Sequence, residues 1–290
     1  MKQFDYLAPN SLDEALEFLS SRPETTPLAG GTNVLVQLKE RHREVSALLS
    51  LKRITELHEL RHGEELYIGA AVTLQQVADD PAIRHDYRAL ATASGLIGSV
   101  QTRNMATVGG NICNASPSAD TAPPLLALQA RVILVGAHGA RTIALQNFFM
   151  GPGQTVLRPG ELLKEIIIPA PKALAGSSYV RHIPRQAMDI SFVGVAASLE
   201  VDEAGKIADA RIALGAVAPT PILVSTAAAR LIGHYPSENL WGEAGGLAAR
   251  EATPIDDLRA SIPYRRHLVE ELTQDALRAA LSNIAYRQEG

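Results

Sequence analysis

The sequence predicts an α+β protein with two N-terminal α/β subdomains, 1–56 and 57–174, and a C-terminal α+β domain, 175–290. Three observations carry this. Helix-cap signals, helically spaced apolar residues and short apolar runs alternate through the first half of the chain. Pro169, Pro171 and Gly176 then make the strongest break in the pattern. Beyond it, two long strand-like runs precede three helical segments, the order of an α+β unit rather than of a parallel array. A length of 290 residues suits about two domains of ordinary size.

Each element has a local cause. Ser11 with Glu14 forms a capping box ahead of Leu12, Ala15, Leu16 and Leu19, and Pro23 stops that helix. A strand at Thr26 to Leu28 runs into Ala29-Gly30-Gly31-Thr32-Asn33. A short helix or turn leads to an apolar strand, Ala47 to Leu51, completing a β-α-β unit. Leu66 to Ala70 reads as a strand, Thr73 with Gln76 as a second capping box, and Pro81 as a helix stop or redirection. Ala89 to Ile97 is helical, and Arg103 to Asp120 is a long irregular run. Arg131 to Val135 and Arg141 to Leu145 are strands joined by a tight turn at Ala137-His138-Gly139. Gly151-Pro152-Gly153 is another turn, and Leu162 to Ile168 is an apolar strand. In the last third, strands at Ile190 to Val201 and Ile207 to Val217 flank the turn Asp202-Glu203-Ala204-Gly205. Helices follow at Ser225 to Ile232, around Trp241 to Glu251, and from Tyr264 to about Ile284.

Composition excludes several function classes. Hydrophobic residues are 46% and charged residues 20%, enough to build a core. Lys plus Arg is 27 against 31 Asp plus Glu, a net charge of −4 that offers no basic face to nucleic acid. No apolar run approaches the roughly 18 residues of a membrane span. Met1-Lys2-Gln3-Phe4-Asp5-Tyr6 lacks a signal-peptide core, so a cytoplasmic location is expected. Cys113 is the single cysteine, which leaves no intrachain disulfide framework and no cysteine-ligated zinc or iron–sulfur site within the chain. His58 and His62 are four residues apart but have no third ligand nearby, and read as surface residues rather than a metal pair.

The two Gly-Gly segments, Ala29-Gly30-Gly31-Thr32-Asn33 and Thr107-Val108-Gly109-Gly110-Asn111, carry the most chemistry. Paired glycines permit φ > 0 and close backbone approach, and successive N–H groups in such a turn form an anion nest suited to a pyrophosphate. For either segment alone, an ordinary tight turn is the better explanation. Neither a G-x-G-x-x-G fingerprint nor a P-loop is present, so spacing by itself stops at a phosphate-bearing ligand.

Longer motifs extend the reading. Pro27-Leu28-Ala29-Gly30-Gly31-Thr32 is followed by Arg103-Asn104-Met105-Ala106-Thr107-Val108-Gly109-Gly110-Asn111, continuing through Ser116-Pro117 to Ser118-Ala119-Asp120. Phe149-Met150-Gly151-Pro152-Gly153, Gly160-Glu161-Leu162-Leu163 and Arg185-Gln186-Ala187-Met188-Asp189 come next. In these motifs and their order, the chain resembles the FAD-binding medium subunits of the molybdenum hydroxylase (xanthine dehydrogenase) family, of carbon monoxide dehydrogenase type. The resemblance implies noncovalent FAD between the two N-terminal subdomains, in a fold shared with vanillyl-alcohol oxidases. It implies that Ala29, Gly30, Gly31, Thr32 and Asn33 form the pyrophosphate loop, and that Thr107, Val108, Gly109, Gly110 and Asn111 form a second FAD loop. Asp120 would contact the ribityl or ring region, and Leu163 would lie against the cofactor. It also implies a molybdenum–pterin large subunit and a [2Fe–2S] small subunit as partners, with NAD, a quinone or oxygen as electron acceptor.

Some residues keep a second reading. Arg103 suits a phosphate, a partner or a solvated ion pair, and Asp120 and Asp189 also suit helix caps. Tyr179, His182 and Arg185 stand where the family's last domain faces the flavin. Ile190 replaces an aromatic residue that some members carry after the matched aspartate, and Cys113 is a small buried hydrophobe or a redox group. No catalytic side chain is expected, because the flavin carries the chemistry. The rival reading is a free-standing FAD-dependent reductase of the UDP-acetylenolpyruvoylglucosamine reductase type, which would need a proton donor in the last domain.

Overall fold

The computed structural model describes residues 3–22, 24–185 and 188–289. The chain opens with β1 (Asp5–Leu7), α1 (Leu12–Ser21), β2 (Thr26–Leu28), α2 (Val34–Lys39) and β3 (Ala47–Ser50). Ser11 caps α1 by accepting from the Glu14 N–H at 3.2 Å, while the Glu14 carboxylate accepts from the Asn10 N–H at 2.7 Å. The helix ends at Ser21, where the Arg22 N–H bonds to the Phe18 carbonyl; Pro23, expected as the stop, lies outside the described residues. The three strands form a parallel sheet in the order β1-β3-β2. All four residues of β3 are buried, as a central parallel strand requires. β1 escapes a sequence reading because Asp5 and Tyr6 are exposed and leave no apolar run.

Next come β4 (Leu60–His62), β5 (Glu65–Gly69), α3 (Leu74–Asp79), α4 (Pro81–Asp86), α5 (Arg88–Leu96), α6 (Val100–Arg103), α7 (Val108–Cys113), α8 (Ala122–Ala127), β6 (Arg131–Gly136), β7 (Gly139–Ala144), β8 (Phe149–Gly151), β9 (Gln154–Thr155) and β10 (Leu162–Pro169). Thr73 and Gln76 make the reciprocal capping box of α3. Asp80 then caps α4, with Pro81 in the first helical position, so that proline redirects the chain rather than ending its helical character. Strands β4-β5-β10-β6-β7 form an antiparallel sheet packed against α3, α5 and α8.

The run from Arg103 to Asp120 is not wholly irregular. It contains α7, and the second glycine pair lies inside that helix's first turn. The cause is non-local. Main-chain bonds from Val108 N–H to the Val72 carbonyl and from Gly109 N–H to the Ala70 carbonyl, at 3.0 and 3.1 Å, weld this segment onto the end of β5. A Cβ at Gly109 would sit about 2.5 to 2.7 Å from the main chain and side chain of Ala70, so glycine is needed for packing there.

The last part holds β11 (Ala175–His182), β12 (Val193–Val201), β13 (Ile207–Gly215), β14 (Ile222–Leu223), α9 (Ser225–Leu231), α10 (Glu238–Glu251) and α11 (Ile262–Glu289). The four strands form one antiparallel sheet in chain order. Successive residues serve opposite faces. Val195, Ala197, Ile212 and Leu214 pack under α9, α10 and α11, while Tyr179, Ala196 and Ala213 join the core made with α5 and α8. The final sheet is therefore covered on both sides and is locked to the preceding unit.

Two expectations change here. Gly176 is not linker but part of β11, where a Cβ would collide with the Ala280 carbonyl of α11. The strand expected from Ile190 starts at Val193, because the preceding residues are drawn into side-chain contacts described below.

Candidate functional site

A cleft of about 430 Å³ lies where the first two sheets meet. Its first wall is the turn between β2 and α2. Gly31 has φ +74°, the left-handed region that glycine adopts without strain. Among the described residues, nothing accepts from the N–H groups of Gly31, Thr32 or Asn33. A Cβ on Gly30 would overlap the Met105 carbonyl, so this turn rests directly on the segment that leads into the second wall.

The second wall is the start of α7. Thr107 caps it, its hydroxyl accepting from the Gly110 N–H at 3.0 Å. Asn111 is oriented by Thr121, whose hydroxyl donates to Asn111 Oδ1 at 2.6 Å. A Cβ built on Gly110 would stand 4.0 Å from that of Ala29, so the two glycine segments face each other. Leu162 and Leu163 of β10, with Leu157, supply an apolar third side.

Ala29, Gly30, Gly31, Thr32, Asn33, Thr107, Gly109, Gly110, Asn111 and Leu163 all line this one cleft. Val108 and Asp120 do not. Val108 is buried in the central core. Asp120 lies beneath the final sheet, with Oδ1 accepting from the Tyr179 and Ser191 hydroxyls at 2.6 Å each and Oδ2 accepting from Arg181 Nη1 at 2.7 Å. Arg181 is itself buried and also donates to the Leu96 carbonyl at 2.7 Å. Burial, and then the Asp120 charge, hold the Tyr179 phenol well above its usual range, so it stays a donor.

Other residues singled out from sequence have structural partners. Arg103 donates to Gln75 at 2.9 Å and to the Ile97 carbonyl at 3.2 Å, and Asp189 pairs with Arg185 at 2.9 Å. Gln186 and Ala187 of the last motif lie outside the described residues. His62 pairs with Asp80, and among the described residues no cluster of His, Cys, Asp and Glu could hold a metal ion. His182 packs edge-on against Tyr264. Ile190 is exposed.

Cys113 borders the cleft at the end of α7, and burial pushes its thiol up to about 12. A raised value lowers the thiolate fraction at neutral pH, so Cys113 should react slowly. Iodoacetamide at about pH 8 should alkylate the urea-unfolded chain at least roughly a hundredfold faster than the folded chain, followed by mass spectrometry. Equal rates would show an accessible, activated thiol.

Sequence reasoning missed Arg43, Thr102 and Asn114, which also line the cleft. Arg43 gave no signal because it sits in the charged run Lys39 to Glu44, which reads as solvated surface.

Residues 2–171 match the family described as the FAD binding domain in molybdopterin dehydrogenase, and residues 178–280 match the CO dehydrogenase flavoprotein C-terminal domain. The chain belongs to the FAD-binding subunits of the molybdenum hydroxylase family. Among relatives of this flavoprotein subunit, the carbon monoxide dehydrogenase medium chain of Hydrogenophaga pseudoflava is 30% identical over 285 residues, covering 98% of this chain and 99% of that one. The xanthine dehydrogenase FAD-binding subunit of Escherichia coli O157:H7 is 32% identical over 275 residues, covering 94% of each. Two solved structures superpose closely. One is a carbon monoxide dehydrogenase from H. pseudoflava lacking the Mo-pyranopterin moiety, with a TM-score of 0.93, 31% identity and coverage of 97% and 98%. The other is quinoline 2-oxidoreductase from Pseudomonas putida 86, with a TM-score of 0.91, 29% identity and coverage of 98% and 100%. The flavoprotein subunit's α+β fold is thus that of oxidoreductase subunits, and no helix among its described residues is long and apolar enough to cross a membrane.

The cleft of this FAD-binding subunit fits its family's cofactor on its own chemistry. Free N–H groups at Gly31, Thr32 and Asn33 suit a diphosphate, and the side made by Leu157, Leu162 and Leu163 suits an apolar ring system.

Proposed function

We propose that this subunit holds FAD noncovalently between residues 1–56 and 57–174, and carries electrons for a molybdenum-containing complex. The observation that carries the reading is the meeting of both glycine segments and Leu163 on one cleft. In this reading the N–H groups of Gly31 to Asn33 bind the diphosphate. Thr107 and Asn111 offer hydroxyl and amide groups to the other polar parts, and Leu163 excludes water from one side. Bound FAD supplies the redox chemistry, taking electrons from one partner and passing them to another. The structure's buried Asp120 cluster supports a role in fixing the final sheet against the cofactor-bearing units, with any cofactor contact of Asp120 secondary to that.

The partners in this reading are those that the family resemblance implies. A [2Fe–2S] small subunit would deliver electrons, and a molybdenum–pterin large subunit would hydroxylate the substrate. NAD, a quinone or oxygen would be the final acceptor. A match of residues 178–280 to a flavoprotein C-terminal domain favours this over a free-standing reductase.

Co-expression with the neighbouring genes, followed by size exclusion, tests the proposal. Flavin, molybdenum and iron should co-elute with this chain, and acid precipitation should release all the flavin to the supernatant. Substrate hydroxylation by this chain with FAD alone would overturn the subunit reading. Yellow colour kept in the acid pellet would overturn noncovalent binding.

A further inference from the structure

Two charged side chains, Glu161 and Arg43, line the cleft among the described residues. Glu161 is already neutralised. Arg141 grips it through Nε and Nη2 at 2.9 and 2.7 Å, the Arg158 N–H donates to it at 2.8 Å, and the Arg141 bond holds its carboxyl below the usual range. Among the described residues, Arg43 has no such counter-charge. No carboxylate among the described residues lies within ion-pair distance of it. Its Nη2 donates to Thr26 Oγ1 at 3.2 Å, and its main-chain N–H bonds to the Gln37 carbonyl at 3.3 Å. Thr26 is buried at the start of β2, the strand that delivers Gly30 to Asn33. An unneutralised guanidinium, tethered to that strand, therefore borders the same cleft as the free N–H groups.

We propose that Arg43 is a further binding residue of the cleft, contributing a side-chain cation to the diphosphate of the bound dinucleotide. This rests on the cleft being the FAD site. The N–H nest supplies partial charges only, whereas a guanidinium supplies a full charge and a planar set of donors matched to phosphate oxygens. Arg43 stands on the solvent side, so its contribution is screened by salt.

The test is fluorescence titration of the flavin-free full-length chain with FAD at about 50 mM and about 500 mM salt. Arg43→Ala should raise the dissociation constant about tenfold at low salt, and the gap should narrow at high salt. Arg43→Lys should recover most of the loss. Arg41→Ala removes a nearby cation that does not line the cleft and should change affinity by less than about twofold. Circular dichroism of the flavin-free variants checks folding, and Arg43→Gln serves as the neutral variant if alanine misfolds. If wild type binds FAD and Arg43→Ala and Arg43→Gln bind within about twofold of it, this inference fails and the cleft reading stands. An equal loss in Arg41→Ala would reduce the effect to general surface charge and overturn it as well. Failure of wild type to bind FAD would overturn the cleft reading itself.

Discussion

FAD at about 100 times its dissociation constant should stabilise the wild-type chain by roughly 2.7 kcal/mol, and should leave Gly31→Val and Gly110→Val unshifted. For a chain of this size that is a rise of about 4 to 5 °C in the melting midpoint. At Gly31 a β-branched residue meets two obstacles. The φ of +74° is strained for it, and its Cβ would lie 3.0 Å from Leu35 Cδ1 and 3.2 Å from Leu28 Cδ1. The turn would reopen and its N–H groups would no longer converge. At Gly110 the new Cβ would lie 2.9 Å from the Thr107 hydroxyl, displacing the cap that shapes the second wall. Both sites are at the cleft rather than in the core, so far-ultraviolet dichroism should stay close to wild type. Gly30→Val and Gly109→Val differ, because their side chains would strike main chain at Met105 and Ala70 and should cost folding itself. An undiminished FAD shift in both Gly31→Val and Gly110→Val would show that these segments do not bind the cofactor.

Asp120→Asn should lower the stability of the flavin-free chain by about 3 to 5 kcal/mol, measured by urea denaturation. The carboxylate is buried and takes three protein donors, one of them the buried Arg181 guanidinium. The amide removes the counter-charge and leaves that guanidinium buried without it, the costly half of a broken pair. Tyr179→Phe removes one neutral donor and should cost only about 1 kcal/mol. The double variant Asp120→Asn with Arg181→Met should recover part of the loss, since no buried charge then remains. A loss below about 1 kcal/mol for Asp120→Asn would show that the cluster contributes little.

Local signals made much of this molecule legible. Ser11, Thr73 and Gln76 form the expected caps, and β2 spans Thr26–Leu28 as its apolar run suggests. The glycine pairs stood out because their composition is unusual over a few residues. What stayed hidden depends on partners far along the chain. Gly109 packs against Ala70, and Gly176 against α11, so both glycines are explained by elements that a local reading does not see. Asp120 looked like a cap or a flavin contact because its three partners, Tyr179, Arg181 and Ser191, lie 59 to 71 residues downstream. Arg43 was concealed differently, by neighbours of both charges that make the whole run look like solvated surface.

The rest of Gly30 against Met105, with Leu163 closing the third side, makes the cleft a late product of synthesis. Its parts lie roughly 130 residues apart in the chain, which a ribosome adding about 5–20 residues per second spans in roughly 7 to 26 seconds. During that interval the first glycine turn has emerged, but the surfaces it must meet have not. A nascent chain therefore has no complete pocket to offer, and on the proposed reading of the cleft flavin would load only once β10 has left the ribosome and paired with β5 and β6. Truncations ending before Leu162 should emerge colourless however much FAD the cell holds.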